Sequence, residues 1–159
     1  MTTDTRDTQI IVDPDVPLVR IVREFDAPPA RVFAAHADPE LLKRWLGPHE
    51  LTMEVDHYDF RSGGSWRYSH RGDDGTYRFF GSFHEVRADE LIVQTFAFEG
   101  FPDSVSLERL ELVELPGGRC RLTGTSLVDS FEGRDAFVAS GMEVGVREGY
   151  EKLDSLLAG

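Results

Sequence analysis

The pattern of hydrophobic and polar positions begins with a polar segment. Residues 1–17 are mostly polar and acidic, and Pro14 and Pro17 would interrupt any regular element. We therefore predict a flexible N-terminal tail, with a short extended piece at Gln9–Val12, followed by a single folded domain over residues 18–159.

One strand and two short helices are predicted next. Leu18–Phe25 is rich in β-branched residues, which is typical of a strand. An aspartate stands shortly before a proline at Asp26 and again at Asp38, and this arrangement favours the start of a helix. The first helix should cover Ala30–Ala37, and the second should end near Trp45.

Between residues 50 and 128 the pattern predicts six further strands. Apolar and polar residues alternate with a period of two, and turn residues such as Asp73, Asp74 and Gly75 separate the segments. Connections this short favour antiparallel neighbours. The predicted strands are Leu51–Val55, Ser65–Arg71, Thr76–Val86, Leu91–Phe98, Val105–Leu115 and Arg119–Val128.

A helical period follows Gly133 and continues to the C-terminus. Its apolar stripe consists of Val138, Met142, Val146, Tyr150, Leu153 and Leu157. At about 1.5 Å per residue, one continuous helix over Arg134–Ala158 would be about 37 Å long. No other predicted helix is long enough to cover a sheet. We therefore predict an α+β fold in which a curved antiparallel sheet of six to seven strands wraps round this C-terminal helix.

The composition narrows the classes of function. Of the 159 residues 40% are hydrophobic, and the formal net charge is −12 at pH 7. A surface this acidic repels phosphate backbones and anionic lipids, so we expect neither a nucleic acid nor a membrane as partner. Cys120 is the one cysteine and cannot form an internal disulfide, and the N-terminus lacks the features of a signal peptide. Together these observations predict a cytoplasmic protein.

Several segments, taken in order, resemble a known family. They are Phe25–Phe33, Asp38–Pro48, Gly63–Tyr68, Gly81–Val86, Glu90–Thr95, Ser140–Gly145 and Leu153–Leu157. This series resembles START-like proteins of the SRPBCC superfamily, in the branch named for the activator of the heat-shock chaperone ATPase. The resemblance implies a helix-grip fold, with a cavity between an antiparallel sheet and the terminal helix. It implies the fold more strongly than any activity, because such proteins include binding proteins, cyclases and dehydratases.

Two departures from the family pattern concern the expected cavity. The family often has tryptophan where this chain has Leu46, and a Gly-Trp step where this chain has Gly145 and Val146. Both exchanges remove an indole ring, so we expect a cavity that is roomier or differently shaped. Gly141, Gly145 and Gly149 also recur every four residues, which indicates either close packing of the helix on the sheet or room for a ligand.

Aromatic residues supply the candidate binding site. Most of them should form the core, but an apolar wall with a few polar atoms is also the usual composition of a small-molecule site. Trp66 and Tyr68 each add a polar atom, and His70 lies in phase with them as a titratable group. The candidate ligand-binding residues are Trp45, Trp66, Tyr68, His70, Phe83, Phe96, Phe98, Met142, Val146 and Tyr150.

No motif for catalysis, metal binding or cofactor binding is recognisable. The histidines lack the spacing of a metal site, and we expect each of them except His70 to be at the surface or simply hydrogen-bonded. There is no Gly-x-Ser-x-Gly motif, and Cys120 is expected to be an inert, partly buried thiol. The carboxylates are scattered along strand edges and the outer face of the helix, and we expect most of them to lie in solvent.

Three functions therefore stay open, and the first is the main prediction. It is the binding of a small hydrophobic or aromatic molecule in the cavity. The second is a cyclase- or dehydratase-type enzyme that uses the same cavity, with His70 or Tyr68 moving a proton. The third is a co-chaperone-like interaction module, which would recognise a chaperone through an exposed apolar patch. A homodimer is compatible with each of the three.

Overall fold

Eight antiparallel strands form one sheet in the structure, a computed structural model that describes residues 7–159. The strands are β1 (Gln9–Val12), β2 (Leu18–Phe25), β3 (Thr52–Tyr58), β4 (Ser65–Gly72), β5 (Gly75–Arg87), β6 (Leu91–Phe98), β7 (Val105–Leu115) and β8 (Arg119–Leu127). Their spatial order is β1-β2-β8-β7-β6-β5-β4-β3, so strands β3 to β8 form a meander and β8 returns to pair with β2. The predicted α+β class with an antiparallel sheet is confirmed.

The predicted count of six to seven strands is wrong, because the N-terminal segment adds an eighth. The extended piece anticipated at Gln9–Val12 is β1, and it pairs with β2 from Gln9 opposite Val22 to Val12 opposite Val19. The sequence pattern favoured a tail because this segment is short and two prolines follow it closely. The first six residues of the predicted tail lie outside the described residues.

The single long C-terminal helix that the period predicted is divided into two. The helices are α1 (Pro29–Ala37), α2 (Pro39–Leu42), α3 (Phe131–Ala139) and α4 (Met142–Ala158). Gly141 lies between the last two with a φ of 91°, a left-handed conformation that glycine adopts without a steric penalty. The apolar stripe continues across this break, so the periodicity of the sequence did not reveal it.

The two aspartates predicted to start helices have different roles. Asp38 caps α2, and its side chain accepts a hydrogen bond from the backbone N–H of Glu40 at 2.9 Å. The N-cap of α1 is Pro28, which has no side-chain acceptor. Asp26 instead accepts a hydrogen bond from Arg119 Nε at 2.9 Å, which ties the start of the α1 segment to β8.

The C-terminal half of α4 closes one end of the sheet with solid packing. Leu153 is fully buried and Leu157 nearly so, in the same apolar cluster as Phe25, Leu122 and Cys120 of β2 and β8. Arg23 of β2 is buried beside this cluster, and its Nη1 donates to Asp154 Oδ1 at 3.0 Å. We call this region the filled end; it fixes the C-terminal half of the helix against the sheet.

Candidate functional site

A cavity of about 320 Å³ lies between the sheet and the N-terminal half of α4. Eight of the ten residues predicted for ligand binding lie on its wall: Trp45, Trp66, Tyr68, His70, Phe96, Met142, Val146 and Tyr150. Leu46 also lies on the wall, so both positions at which the family often has tryptophan face this space. We call this region the cavity end of α4, in contrast to the filled end.

Phe83 and Phe98 do not lie on the cavity wall. Phe83 is fully buried in an aromatic cluster, with its ring centroid 5.1 Å from that of Phe60 and 5.5 Å from that of Tyr58. Phe98 has 37% of its surface exposed, and its nearest ring is Phe79 at 5.4 Å. Both are aromatic strand residues, but one contributes to the solid core and the other packs at the protein surface.

The aromatic part of the wall is built by alternate residues of neighbouring strands. Trp66 and Tyr68 stack at a centroid distance of 4.8 Å, since residues two apart on β4 point to the same face. Phe96 of β6 lies 5.8 Å from Trp66 and 5.2 Å from Phe79 of β5. These four rings form a continuous apolar surface opposite α4.

The segment around α1 and α2 supplies the remaining aromatic wall. Trp45 stacks on Tyr150 at 6.0 Å, and its Nε1 donates a hydrogen bond to the carbonyl oxygen of Ala35 at 3.0 Å. His36 contacts the Trp45 ring edge-on at 4.8 Å, and its Nδ1 donates to the carbonyl oxygen of Val32 at 2.8 Å. Burial lowers the pKa of His36 to about 4, so the ring is neutral at pH 7.

His70 is a buried, neutral imidazole on the cavity wall. Burial, with a smaller contribution from the charge of Lys152, lowers its pKa to about 4. Among the described residues its Nδ1 has no hydrogen-bond partner. Gly47 packs against the ring so closely that a Cβ there would lie 2.7 Å from the His70 Cε1, and the φ of Gly47 is +95°. The glycine therefore makes room for the imidazole.

A polar row crosses the sheet beneath the cavity. The register places Gln94 of β6 opposite Glu108 of β7, and Glu108 opposite Ser126 of β8. Glu108 accepts a hydrogen bond from Gln94 Nε2 on one carboxyl oxygen at 3.2 Å and from Ser126 Oγ on the other at 2.8 Å. Burial raises the pKa of Glu108, and these two hydrogen bonds only partly oppose the shift.

Glu108 was not predicted as a site residue, because the carboxylates were expected to lie mostly on solvated faces. That expectation is wrong for this residue, which lies in phase with Leu110 and Leu112 on the inner face of β7. The alternation along the strand contained a signal, because Glu108, Leu110 and Leu112 are spaced by two and therefore share one face. The outer face of β7 carries Arg109 and Glu111, which form an ion pair at 2.8 Å.

The glycines in and opposite α4 have two different roles, close packing and leaving space, which their spacing in the sequence did not distinguish. A Cβ on Gly149 would lie 3.1 Å from the carbonyl oxygen of Trp45, so this glycine allows close packing. A Cβ on Gly145 would meet only the Pro48 side chain at an ordinary 3.5 Å, and Gly145 lies on the cavity wall. Gly124 of β8 also lies on the wall, and a Cβ there would have no neighbour closer than 3.9 Å. Gly145 and Gly124 therefore leave space, whereas Gly149 allows contact.

Other chemistry is sparse within residues 7–159. Cys120 is fully buried, and burial raises its pKa to about 11, so it is a thiol and not a nucleophilic thiolate at pH 7. The described residues contain no group of three His, Cys, Asp or Glu side chains placed to hold a metal ion. Over the same residues, no helix is both long enough and apolar enough to cross a membrane.

Fold and cavity together define a helix-grip protein, and comparison with known proteins agrees. Residues 26–158 match the family described as activator of Hsp90 ATPase homolog 1-like protein, and the chain belongs to this family. The resemblance inferred from the sequence motifs is thereby confirmed. The comparison with curated proteins gives no match.

Solved structures from several bacteria share the fold. A solution NMR structure of a protein from Arthrobacter aurescens is 30% identical, with a TM-score of 0.86 over 94% of this chain and 91% of that one. The crystal structure of protein Ms6760 from Mycobacterium smegmatis is 28% identical, with a TM-score of 0.85 over 94% and 96% of the two chains. A crystal structure from Rhodobacter sphaeroides is 28% identical, with a TM-score of 0.84 over 94% and 97%.

Proposed function

We propose that this protein binds a small hydrophobic or aromatic molecule in the cavity between its sheet and α4. One observation carries the proposal: the cavity end of α4 faces aromatic rings across an unfilled space, whereas the filled end packs directly on the sheet. A volume of about 320 Å³ is at the lower end of the roughly 300–1,000 Å³ that small-molecule sites occupy.

The composition of the wall supports the same function. Its surface is mostly apolar, and two of its residues each have a buried polar atom without a protein partner among the described residues, namely Trp66 Nε1 and His70 Nδ1. A buried polar atom without a hydrogen bond is costly, so these two atoms lower the stability of the cavity end. Apolar rings for affinity and a few polar atoms for orientation are what ligand sites require.

The experiment uses Val146→Trp, which should fill the cavity with the side chain that the family often has near this position. Binding of N-phenyl-1-naphthylamine is measured by its fluorescence increase in the wild type and in the variant. We expect saturable binding in the wild type and at least about tenfold weaker binding in Val146→Trp, with unfolding free energy unchanged or higher because a void is filled. A destabilised variant with unaltered binding would place any binding site elsewhere.

A matched control is available on the same helix. Val144 is 58% exposed, two residues from Val146, and faces solvent. Val144→Trp therefore adds the same ring outside the cavity and should leave probe affinity unchanged. Equal losses of affinity in both variants would mean that the probe binds the outer surface of the helix.

His70 supports one second candidate, an enzyme that transfers a proton inside the cavity. Its ring lies on the cavity wall and is neutral at pH 7, so it could accept a proton from a bound substrate. The raised pKa of Tyr68, caused by burial and by the charge of Glu108, makes that phenol a donor and not a base. NMR titration of His70 with a bound probe tests the role, which requires its chemical shift to respond to the ligand.

A further inference from the structure

Glu108 is a carboxyl group inside the cavity without a cationic partner. Among residues 7–159 no lysine or arginine pairs with it, and the neighbouring Arg109 pairs with Glu111 on the outer face of β7. Gln94 and Ser126 each donate one hydrogen bond, so both carboxyl oxygens already act as acceptors. A carboxylate can accept about four hydrogen bonds, which leaves capacity for a donor from a ligand.

Two phenol groups share the cavity with this acceptor. Tyr68 and Tyr150 line the same cavity, and neither hydroxyl makes a hydrogen bond to another described residue. After burial, the charge of Glu108 is the next cause that raises the pKa of each tyrosine, so its carboxyl group acts on both hydroxyls. Both hydroxyls therefore stay protonated and can donate a hydrogen bond to a ligand.

We propose that the polar row of Gln94, Glu108 and Ser126 selects an uncharged, mainly apolar ligand that carries a hydroxyl group. The ligand hydroxyl donates to Glu108 and accepts from Tyr68 or Tyr150, while the rest of the molecule contacts the aromatic wall. This inference rests on the proposed binding function and specifies the class of molecule.

Competing classes of ligand fit these groups less well. An anion such as a fatty acid would place a second negative charge beside a buried carboxyl group, in a protein of net charge −12. An ether or a pure hydrocarbon offers no donor for the hydrogen-bonding capacity that Gln94 and Ser126 leave on Glu108. An ammonium group could donate to Glu108, but it has no lone pair to accept a hydrogen bond from the tyrosines.

The test is a set of probes that share one ring system. Isothermal titration calorimetry at pH 7 compares 2-naphthol, 2-methoxynaphthalene, 2-naphthoate and 2-naphthylmethylammonium on the full chain. We expect 2-naphthol to bind at least about tenfold more tightly than the methoxy probe, which lacks the donor. We expect 2-naphthoate to bind most weakly, with the ammonium probe also weaker than 2-naphthol.

Two variants test whether the polar row causes this order of probe affinities. Glu108→Gln removes the charge and keeps the shape, so it should weaken 2-naphthol several-fold and strengthen 2-naphthoate, reducing the preference between them at least about tenfold. Ser126→Ala, a smaller change, should reduce the same preference in part. Glu111→Gln removes a carboxylate from the outer face of the same strand and should change nothing.

The outcomes separate this inference from the proposed function. If none of the four probes binds the wild type, both the proposed function and this inference fail. If 2-methoxynaphthalene or 2-naphthoate binds as tightly as 2-naphthol, the cavity binds ligands but the row does not select a hydroxyl. Tighter binding of the ammonium probe would assign the site to amines instead. An order of affinities that is the same in Glu108→Gln as in the wild type would also overturn the inference.

Discussion

The two ends of α4 differ although one amphipathic pattern runs through both. At the filled end, Leu153 and Leu157 are buried in the same apolar cluster as Phe25 and Leu122, and neither of them lines the cavity. At the cavity end, Gly145 and Val146 line the cavity together with Gly124 of β8. The inner face of β8 shows the same difference, since Leu122 belongs to the apolar core cluster whereas Gly124 and Ser126 line the cavity.

This contrast indicates that the two halves of α4 have different roles, one in stability and the other in the proposed ligand binding. The filled end supplies the apolar burial that holds the helix on the sheet, together with the contact between Arg23 and Asp154. The cavity end can then retain unfilled volume and buried polar groups, which lower stability but suit a ligand. Changes at the filled end should therefore affect folding, and changes at the cavity end should affect binding.

The largest expected effect is at the filled end. Leu153→Ala removes a fully buried side chain and should lower the unfolding free energy by about 2–5 kcal/mol. Probe affinity of the remaining folded protein should change little, because Leu153 does not line the cavity. Chemical denaturation and a probe titration measure the two quantities. A folded variant with normal stability and lost binding would contradict these different roles.

Acid should destabilise the cavity end through its buried histidines. The folded-state pKa of His36 is about 4 against an ordinary value of 6.5, so the unfolded chain binds more protons between these values. Its contribution to stability is complete above pH 6.5 and is lost as the pH falls towards 4, by about 3 kcal/mol. His36→Gln should lose correspondingly less stability than the wild type between pH 7 and pH 4. Parallel losses in the two proteins would show that His36 is accessible to protons in the fold.

The smallest expected effects on stability come from alanine substitutions at two glycines of α4. Gly149→Ala should cost about 1 kcal/mol or more, because its Cβ would press against the Trp45 carbonyl oxygen at 3.1 Å. Gly145→Ala should be neutral or stabilising by up to about 1 kcal/mol, since it gains helix propensity and meets only an ordinary contact. Thermal melts of both variants decide the point, and equal melting temperatures would remove the distinction between contact and space.

The sequence was sufficient for the features that follow from short-range periodicity and turn chemistry. Alternation on β4 placed Trp66, Tyr68 and His70 on one face, and the family motifs indicated a cavity between sheet and helix. Periodicity did not distinguish Phe83 and Phe98 from the wall residues, because it assigns a residue to a face but not to a position along the sheet. A residue on the inner face can pack in solid core, line a cavity or lie at the edge.

The break at Gly141 and the polar row were not predicted for a related reason. The left-handed glycine interrupts the helix without interrupting its apolar stripe, so the hydrophobic periodicity does not reveal the break. Gln94, Glu108 and Ser126 are separated in sequence, and only the register of three paired strands brings them together. Register depends on the turns and on the whole sheet, which local patterns do not determine.

The most direct test of this account is a methyl NMR titration with 2-naphthol. Met142 lies on the cavity wall and Leu153 in the filled end, so their methyl resonances report separately on the two ends of α4. We predict saturable shifts of the Met142 methyl resonance, with the methyl resonances of Leu153 nearly unchanged. Shifts at Leu153 that equal those at Met142, or no saturable shift at Met142, would contradict a binding cavity confined to one end of the helix.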